Sequence, residues 1–113
     1  GEVATADYES GNGNFGGRIG LKHTLASETF YSLYGHLDRQ SLPKAGTYIE
    51  KGQPFGRLGD FADNGNWFYH THLQILTEKG YQEGFIDKGY CSESMLAEIA
   101  DFCPNPIFLL RYS

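Results

Sequence analysis

Three features are missing from this sequence, and two of the absences exclude a class of protein. No apolar run approaches the roughly 18 to 20 residues of a membrane-spanning helix, and no signal peptide opens the chain. Nine Lys and Arg against 14 Asp and Glu give a net charge of -5. The basic residues form no stripe that could follow a phosphate backbone. We therefore expect neither a membrane span nor a nucleic-acid partner.

Cysteine is also scarce, and both copies lie in the C-terminal part of the chain. Cys91 and Cys103 have no CxxC spacing, so a disulfide, two free thiols and a shared metal all stay open. The chain begins at Gly1 rather than at a Met. We therefore expect it to be a fragment or a processed piece of a longer protein.

Glycine and aromatic residues are abundant. The 113 residues include 15 Gly, 8 Tyr and 8 Phe, a composition that favours short strands joined by turns. This length allows one hydrophobic core but not two. We predict one mainly β domain over residues 1–113.

Local sequence patterns predict where the strands and the helix lie. Alternation in 18–23 and the aromatic run in 29–37 predict two antiparallel strands. Residues 67–76 form the strongest β segment, and 48–53 is the most strand-like piece of a stretch dense in Pro and Gly. Apolar residues at helical spacing in 92–102 predict a short amphipathic helix.

The candidate chemistry lies on histidines. On a strand, His70 and His72 would face the same side with Cα atoms roughly 6.5 to 7 Å apart. One imidazole could then bind a metal while the other stands beside the metal, or both could be ligands. The alternative is a polar pair on a solvated strand face. For His36, inside an apolar stretch, and for His23, the alternative is a purely structural role.

Aromatic residues flank these histidines. Tyr34, Trp67, Phe68 and Tyr69 could form the rim of a substrate groove, but aromatic side chains on strands more often belong to the core. We expect core positions for them, with Tyr69 as the strongest exception because it directly precedes His70.

Several motifs in fixed order resemble the M23 family of LytM and lysostaphin-like zinc metallopeptidases over residues 1–75. Each motif is modest alone, but the order and the gaps together are specific. The motifs are Gly13-Asn14-Phe15-Gly16, Leu21-Lys22-His23, Tyr34-Gly35-His36-Leu37, Gly46, Lys51-Gly52-Gln53, Gly59 and His70-Thr71-His72-Leu73.

The resemblance implies a fold, a cofactor and a substrate. The fold is an antiparallel β sandwich or barrel-like sheet of the M23 (duplicated hybrid motif) type with a short C-terminal helix, and residues 82–113 are an extension. His72 is implied as a Zn²⁺ ligand, and His36 and His70 as catalytic histidines. Zinc metallopeptidases polarise a peptide carbonyl and activate water. The implied substrate is a stem peptide or cross-bridge of peptidoglycan.

The sequence departs from the family pattern in one place. The family takes its other two zinc ligands from a His-x-x-x-Asp motif before the strand that matches Gly1-Glu2-Val3, and this chain has no such motif. Either those ligands lie on residues outside the chain, or the domain is an M23-like module that binds without cutting. A carrier or phosphohistidine domain is a third alternative.

Location stays open as well. The habit of the M23 family implies an extracytoplasmic site. Through Tyr34-Gly35-His36-Leu37 and Cys103-Pro104-Asn105-Pro106, the chain also resembles the M23-like modules of multidomain proteins that carry kinase-like and aminotransferase domains. That second resemblance implies a cytoplasmic protein.

Overall fold

A four-stranded antiparallel sheet in the order β1-β2-β3-β4 forms the centre of the molecule. The computed structural model describes residues 1–107 and 110. The strands are Glu2–Glu9 (β1), Gly16–Leu25 (β2), Glu28–Leu37 (β3) and His72–Thr77 (β4), and a short helix, Glu78–Gln82 (α1), follows β4. The mainly β class is therefore confirmed.

β2 and β3 form the hairpin that the sequence predicts. Leu25 pairs with Glu28, so only Ala26 and Ser27 form the turn. Ala26 has a φ of 56°, in the left-handed region that tight hairpin turns use. The two strands, each of ten residues, make the longest pairing of the sheet, and both are buried on their two faces over much of their length.

A β-bulge interrupts this pairing at the end that carries the chemistry. Gly17 pairs with Leu37 and Ile19 pairs with Tyr34, so Gly35 and His36 together lie opposite one residue of β2. His36 has a φ of 64°, a left-handed conformation that is uncommon outside glycine. Bulges of this kind redirect a side chain relative to the regular alternation.

Two hydrophobic clusters cover the sheet. In an antiparallel sheet, directly paired residues share a face, so the pairing of Tyr31 with Leu76 and of Gly35 with His72 places both pairs on one face. The C-terminal segment, defined as residues 78–107, packs on that face. The first cluster contains Val3, Ile19, Leu21, Leu37 and Ile49, and the second contains Tyr31, Leu76, Phe85 and Phe102.

Two predicted strands differ from the structure. Within 48–53 only an isolated bridge forms, between Tyr48 and Glu2. The segment 67–76 becomes a strand only from His72 onwards. The Asn64 side chain accepts from the backbone N–H of Trp67 and donates to its carbonyl, so these backbone groups are satisfied without a strand partner.

The predicted helix over 92–102 is wrong. The structure has two 3-10 turns there, Glu93–Met95 and Ile99–Asp101. A helix this short is marginal without tertiary support. The Phe102 carbonyl accepts from the backbone N–H of Thr77, which ties the end of this stretch to β4. Within the described residues, no helix is long and apolar enough to cross a bilayer.

Candidate functional site

Three histidines meet where the bulge of β3 faces the start of β4. The ring centroid of His36 lies 4.5 Å from that of His70 and 6.0 Å from that of His72. They arrive from a bulge, from the loop before β4, and from the first residue of β4. The sequence predicted that His70 and His72 share a strand face, and this is wrong because His70 precedes the strand.

His36 is the buried member, with 6% of its surface exposed. Its Nδ1 donates to the Asn64 carbonyl at 2.8 Å, and its backbone N–H donates to the Phe15 carbonyl at 2.6 Å. Burial is the main reason that its pKa lies below the ordinary value of 6.5. The ring is therefore neutral near pH 7, with its lone pair on Nε2.

His70 is exposed, yet its ring is held in place. Its Nδ1 donates to the Phe68 carbonyl at 2.6 Å. In the neutral ring this bond leaves the lone pair on Nε2, as it does in His36.

The ring of His72 contacts the side chains of Phe15 and Gln74. Its ring meets the edge of Phe15 at a centroid distance of 5.1 Å, and its Nε2 lies 2.9 Å from Oε1 of Gln74. A Cβ on Gly35 would lie 2.6 Å from Cδ1 of Phe15 and 3.3 Å from Cβ of His72. Gly35 therefore lets both rings approach the strand, which explains a glycine beside His36.

Asn64 organises the loop of the site and is not evident from the sequence. It is fully buried, and its Nδ2 donates to the carbonyls of Gly59 and Trp67. Its own carbonyl accepts from His36. A lone Asn in a Gly- and Asp-rich loop is typical of an exposed turn, so its burial gives no sequence signal.

A cleft of about 230 Å³ opens beside the histidines. His36 and His72 both contribute to its wall, whereas the ring of His70, tilted by 42° to that of His36, is not part of the wall. The remaining wall residues are Glu9, Gly13, Asn14, Phe15, Trp67, Asp87, Gly89 and Tyr90.

The aromatic residues near the cleft fall into two groups. Tyr34 packs on Phe55 and joins the first hydrophobic cluster, as expected of a core residue. Trp67, Phe68 and Tyr69 are 44%, 94% and 69% exposed, so the expected core position is wrong for Trp67 and Phe68, whereas Tyr69 is exposed as the exception that the sequence indicated. Trp67 lines the cleft, and Asn64 holds the backbone of this stretch in a loop through its bonds to Trp67 and Phe68.

One wall of the cleft is acidic and is organised by Arg18. The buried guanidinium forms ion pairs with Asp7 at 2.7 Å, Glu9 at 3.2 Å and Asp87 at 2.9 Å, and it donates to the Ile86 carbonyl. These bonds raise the pKa of Arg18 further above its ordinary value. The same residue thus joins β1 to the C-terminal segment at the rim of the cleft.

The other candidate residues lie apart from this cluster of rings. His23 bonds to Ser32 at 2.7 Å and stacks on Phe30, an environment that suits a structural histidine. Cys91 and Cys103 are free thiols, so the disulfide that the sequence left open is not formed. Burial raises the pKa of the Cys103 thiol above its ordinary value.

His72 can offer one ring nitrogen to a metal, and the ring centroid of His36 lies 6.0 Å from that of His72. Over residues 1–107 and 110, however, no three His, Cys, Asp or Glu side chains are grouped so that they could hold an ion together.

Comparisons with protein-family models, with curated proteins and with solved structures found no match to this chain.

Proposed function

We propose that this chain is part of a zinc-dependent endopeptidase of the M23 type that acts on the peptides of peptidoglycan. One observation carries the proposal. The ring centroid of His36 lies 4.5 Å from that of His70 and 6.0 Å from that of His72, so the three positions that the resemblance implies as site residues come together, although His36 and His72 lie 36 residues apart along the chain.

The zinc ligand within this chain is His72. A catalytic zinc site needs three protein ligands and an open position, so this activity requires two further ligands, which the family pattern takes from a His-x-x-x-Asp motif. A bound Zn²⁺ would supply Lewis acidity toward a peptide carbonyl and toward water.

His36 and His70 would handle the proton. In each, a backbone carbonyl fixes the hydrogen on Nδ1, so each neutral ring has a lone pair on Nε2 that can accept a proton and return it to a leaving amine. His36 is suited to the role of acceptor because burial keeps it neutral near pH 7.

The cleft suits an extended peptide with small side chains. Its volume of about 230 Å³ lies below the roughly 300 to 1,000 Å³ of common small-molecule pockets. Glycine and alanine residues of a stem peptide or cross-bridge would fit there. The exposed Trp67, Phe68 and Tyr69 would cover the apolar side of such a peptide.

The finer fold belongs to the same proposal. The four-stranded antiparallel sheet is compatible with the M23 sandwich or barrel-like arrangement, and the resemblance supports that assignment.

Elemental analysis of the full-length protein that contains this chain tests the metal. We expect about one zinc per chain, lost in His72→Ala, because the ligand is removed.

The rate at which purified peptidoglycan is digested tests the proposed proton transfer by His36 and His70. We expect His36→Ala and His70→Ala each to lower the rate about 10²- to 10⁴-fold, while His23→Ala, the matched control, stays close to the wild type. Absence of zinc and of cleavage in the wild type would refute the proposal.

A metal-free binding module is the second candidate, favoured by the lack of a complete ligand group in the described residues. It predicts that the full-length protein sediments with insoluble peptidoglycan in the presence of a chelator. It further predicts that Trp67→Ala abolishes the binding and that His72→Ala leaves it intact.

A further inference from the structure

Gln74 connects the histidine cluster to the C-terminal segment. It lies two residues after His72 on β4, and residues at this spacing on a strand face the same side. Its side chain makes three contacts: Oε1 with Nε2 of His72 at 2.9 Å, and Nε2 with the Lys88 carbonyl and with Sγ of Cys103, both at 3.2 Å.

The Lys88 carbonyl settles the orientation of the Gln74 amide. The oxygen and nitrogen of an amide are distinguished by their partners. A backbone carbonyl can only accept, so the group facing Lys88 is the NH₂ of Gln74. The oxygen of Gln74 therefore faces His72.

The orientation of Gln74 in turn settles the proton of His72. An amide oxygen can only accept, so Nε2 of His72 donates to it. A neutral imidazole carries one hydrogen. The lone pair of His72 therefore resides on Nδ1.

The His72 ring is also restrained in rotation. Phe15 meets it edge-on, and a Cβ on Gly89 would lie 3.4 Å from Cε1 of His72. Gly89 directly follows Lys88, so the stretch of the C-terminal segment that orients Gln74 also packs against the ring that Gln74 holds.

We infer that Gln74 is a positioning residue: held by Lys88 and Cys103, it keeps the proton of His72 on Nε2 and presents Nδ1 as the metal-binding atom. This inference rests on the proposed function for the role of His72 as a ligand. It assigns a role to Lys88 and Cys103, which lie in the extension over 82–113. Both support the Gln74 side chain that contacts His72. Partners of this kind fix the tautomer and orientation of metal-bound histidines.

Nitrogen-15 NMR of the histidine rings tests the tautomer directly and needs no metal. In the labelled chain at about pH 8, where imidazoles are neutral, we expect His72 to carry its proton on Nε2. In Gln74→Leu we expect loss of that single protonation state, with exchange between the two tautomers. Gln74→Glu, which retains an acceptor, should restore the proton to Nε2, and Gln82→Leu on α1 is the matched control.

A proton on Nδ1 of His72 in the wild type would overturn the inference even if the variants failed to fold. An unchanged His72 spectrum in Gln74→Leu would overturn it as well.

Zinc binding by the full-length protein separates the inference from the proposed function. We expect Gln74→Leu to weaken zinc binding about 10- to 100-fold, the usual effect of removing such a partner, and Gln82→Leu to leave it unchanged. Equal affinity in wild type and Gln74→Leu would refute the positioning role. A wild type that binds no zinc, with the Nε2 tautomer confirmed by NMR, would refute the zinc function and leave the Gln74 contact established.

Discussion

The sheet and the C-terminal segment are held together by different means. β2 and β3 pair over their length and bury residues such as Ile19 and Leu33 completely. The C-terminal segment consists of α1 and short 3-10 turns, and it meets the sheet through the second hydrophobic cluster and through specific hydrogen bonds of Arg18, Gln74 and Thr77. The sheet therefore determines where the site rings lie, and the segment determines how the cleft closes and how His72 is held.

The largest expected effect tests whether stability resides in the sheet. Ile19→Ala removes a fully buried side chain and should lower the free energy of unfolding by about 2 to 5 kcal/mol. Ile99→Ala, the same change in the C-terminal segment, removes a side chain that is only half-buried and should cost clearly less. Urea unfolding followed by circular dichroism compares the two. Equal losses of unfolding free energy in the two variants would contradict the expectation that the sheet contributes more to stability than the C-terminal segment.

Arg18 is the joint between the two regions. Arg18→Met leaves Asp7, Glu9 and Asp87 facing one another without their cation, and we expect a loss of about 2 to 3 kcal/mol, below the range for a fully buried pair because the carboxylates are partly exposed. Arg57→Met is the matched control, because the ion pair of Arg57 with Asp38 is exposed and exposed pairs contribute little to stability.

Amide hydrogen exchange shows which part of the chain loses protection in Arg18→Met. If Arg18 is the joint, Arg18→Met will release the amides of residues 85–88 while the amides of β2 and β3 keep their protection. Uniform loss of protection over the whole chain would show that the two regions unfold as one unit.

Gly35 tests the close packing within the site. Gly35→Ala forces a methyl group against Phe15 and His72, and overpacking of this kind costs about 1 to 3 kcal/mol. We expect displaced Phe15 and His72 resonances in NMR spectra. Gly56→Ala, where the added methyl meets neighbours only at ordinary distances of 3.6 Å or more, should leave those resonances unchanged.

The smallest expected effect is a pH dependence within the sheet. Burial is the main cause of the lowered pKa of His23 in the folded protein, whereas the unfolded chain has the ordinary value of about 6.5. Below that value the unfolded state binds more protons, so stability should fall as the pH drops through about 6.5. His23→Gln should flatten this fall in melting temperature between about pH 7.5 and pH 5.5. An unchanged slope would show that other groups cause it.

The hairpin was predictable because its information is local. Alternation over 18–23 and the aromatic run over 29–37 indicate both strands from neighbouring residues alone. His72 on a strand was predictable for the same reason. The segment 92–102 was not, since its helical spacing of apolar residues reflects packing of Met95 and Ile99 on the second cluster rather than a continuous helix.

The sequence predicted which histidines belong to the candidate site but not how they are arranged in space. The sequence singled out His36, His70 and His72, yet it placed His70 on a strand and gave no role to Asn64 or Gln74. Both of these act through contacts with residues that lie in loops or in the C-terminal segment. Amide side chains in such positions look like ordinary polar residues until their partners are known.

Alternation and turn chemistry act over a few neighbouring residues, so the sequence was enough for the mainly β class, the β2–β3 hairpin and the identity of the three histidines. The bulge that turns His36 into the site, the loop that Asn64 holds and the proton of His72 became evident in the folded chain alone. Each of these depends on hydrogen bonds between residues that are well separated along the chain, and a buried polar group takes whichever partner the fold brings to it.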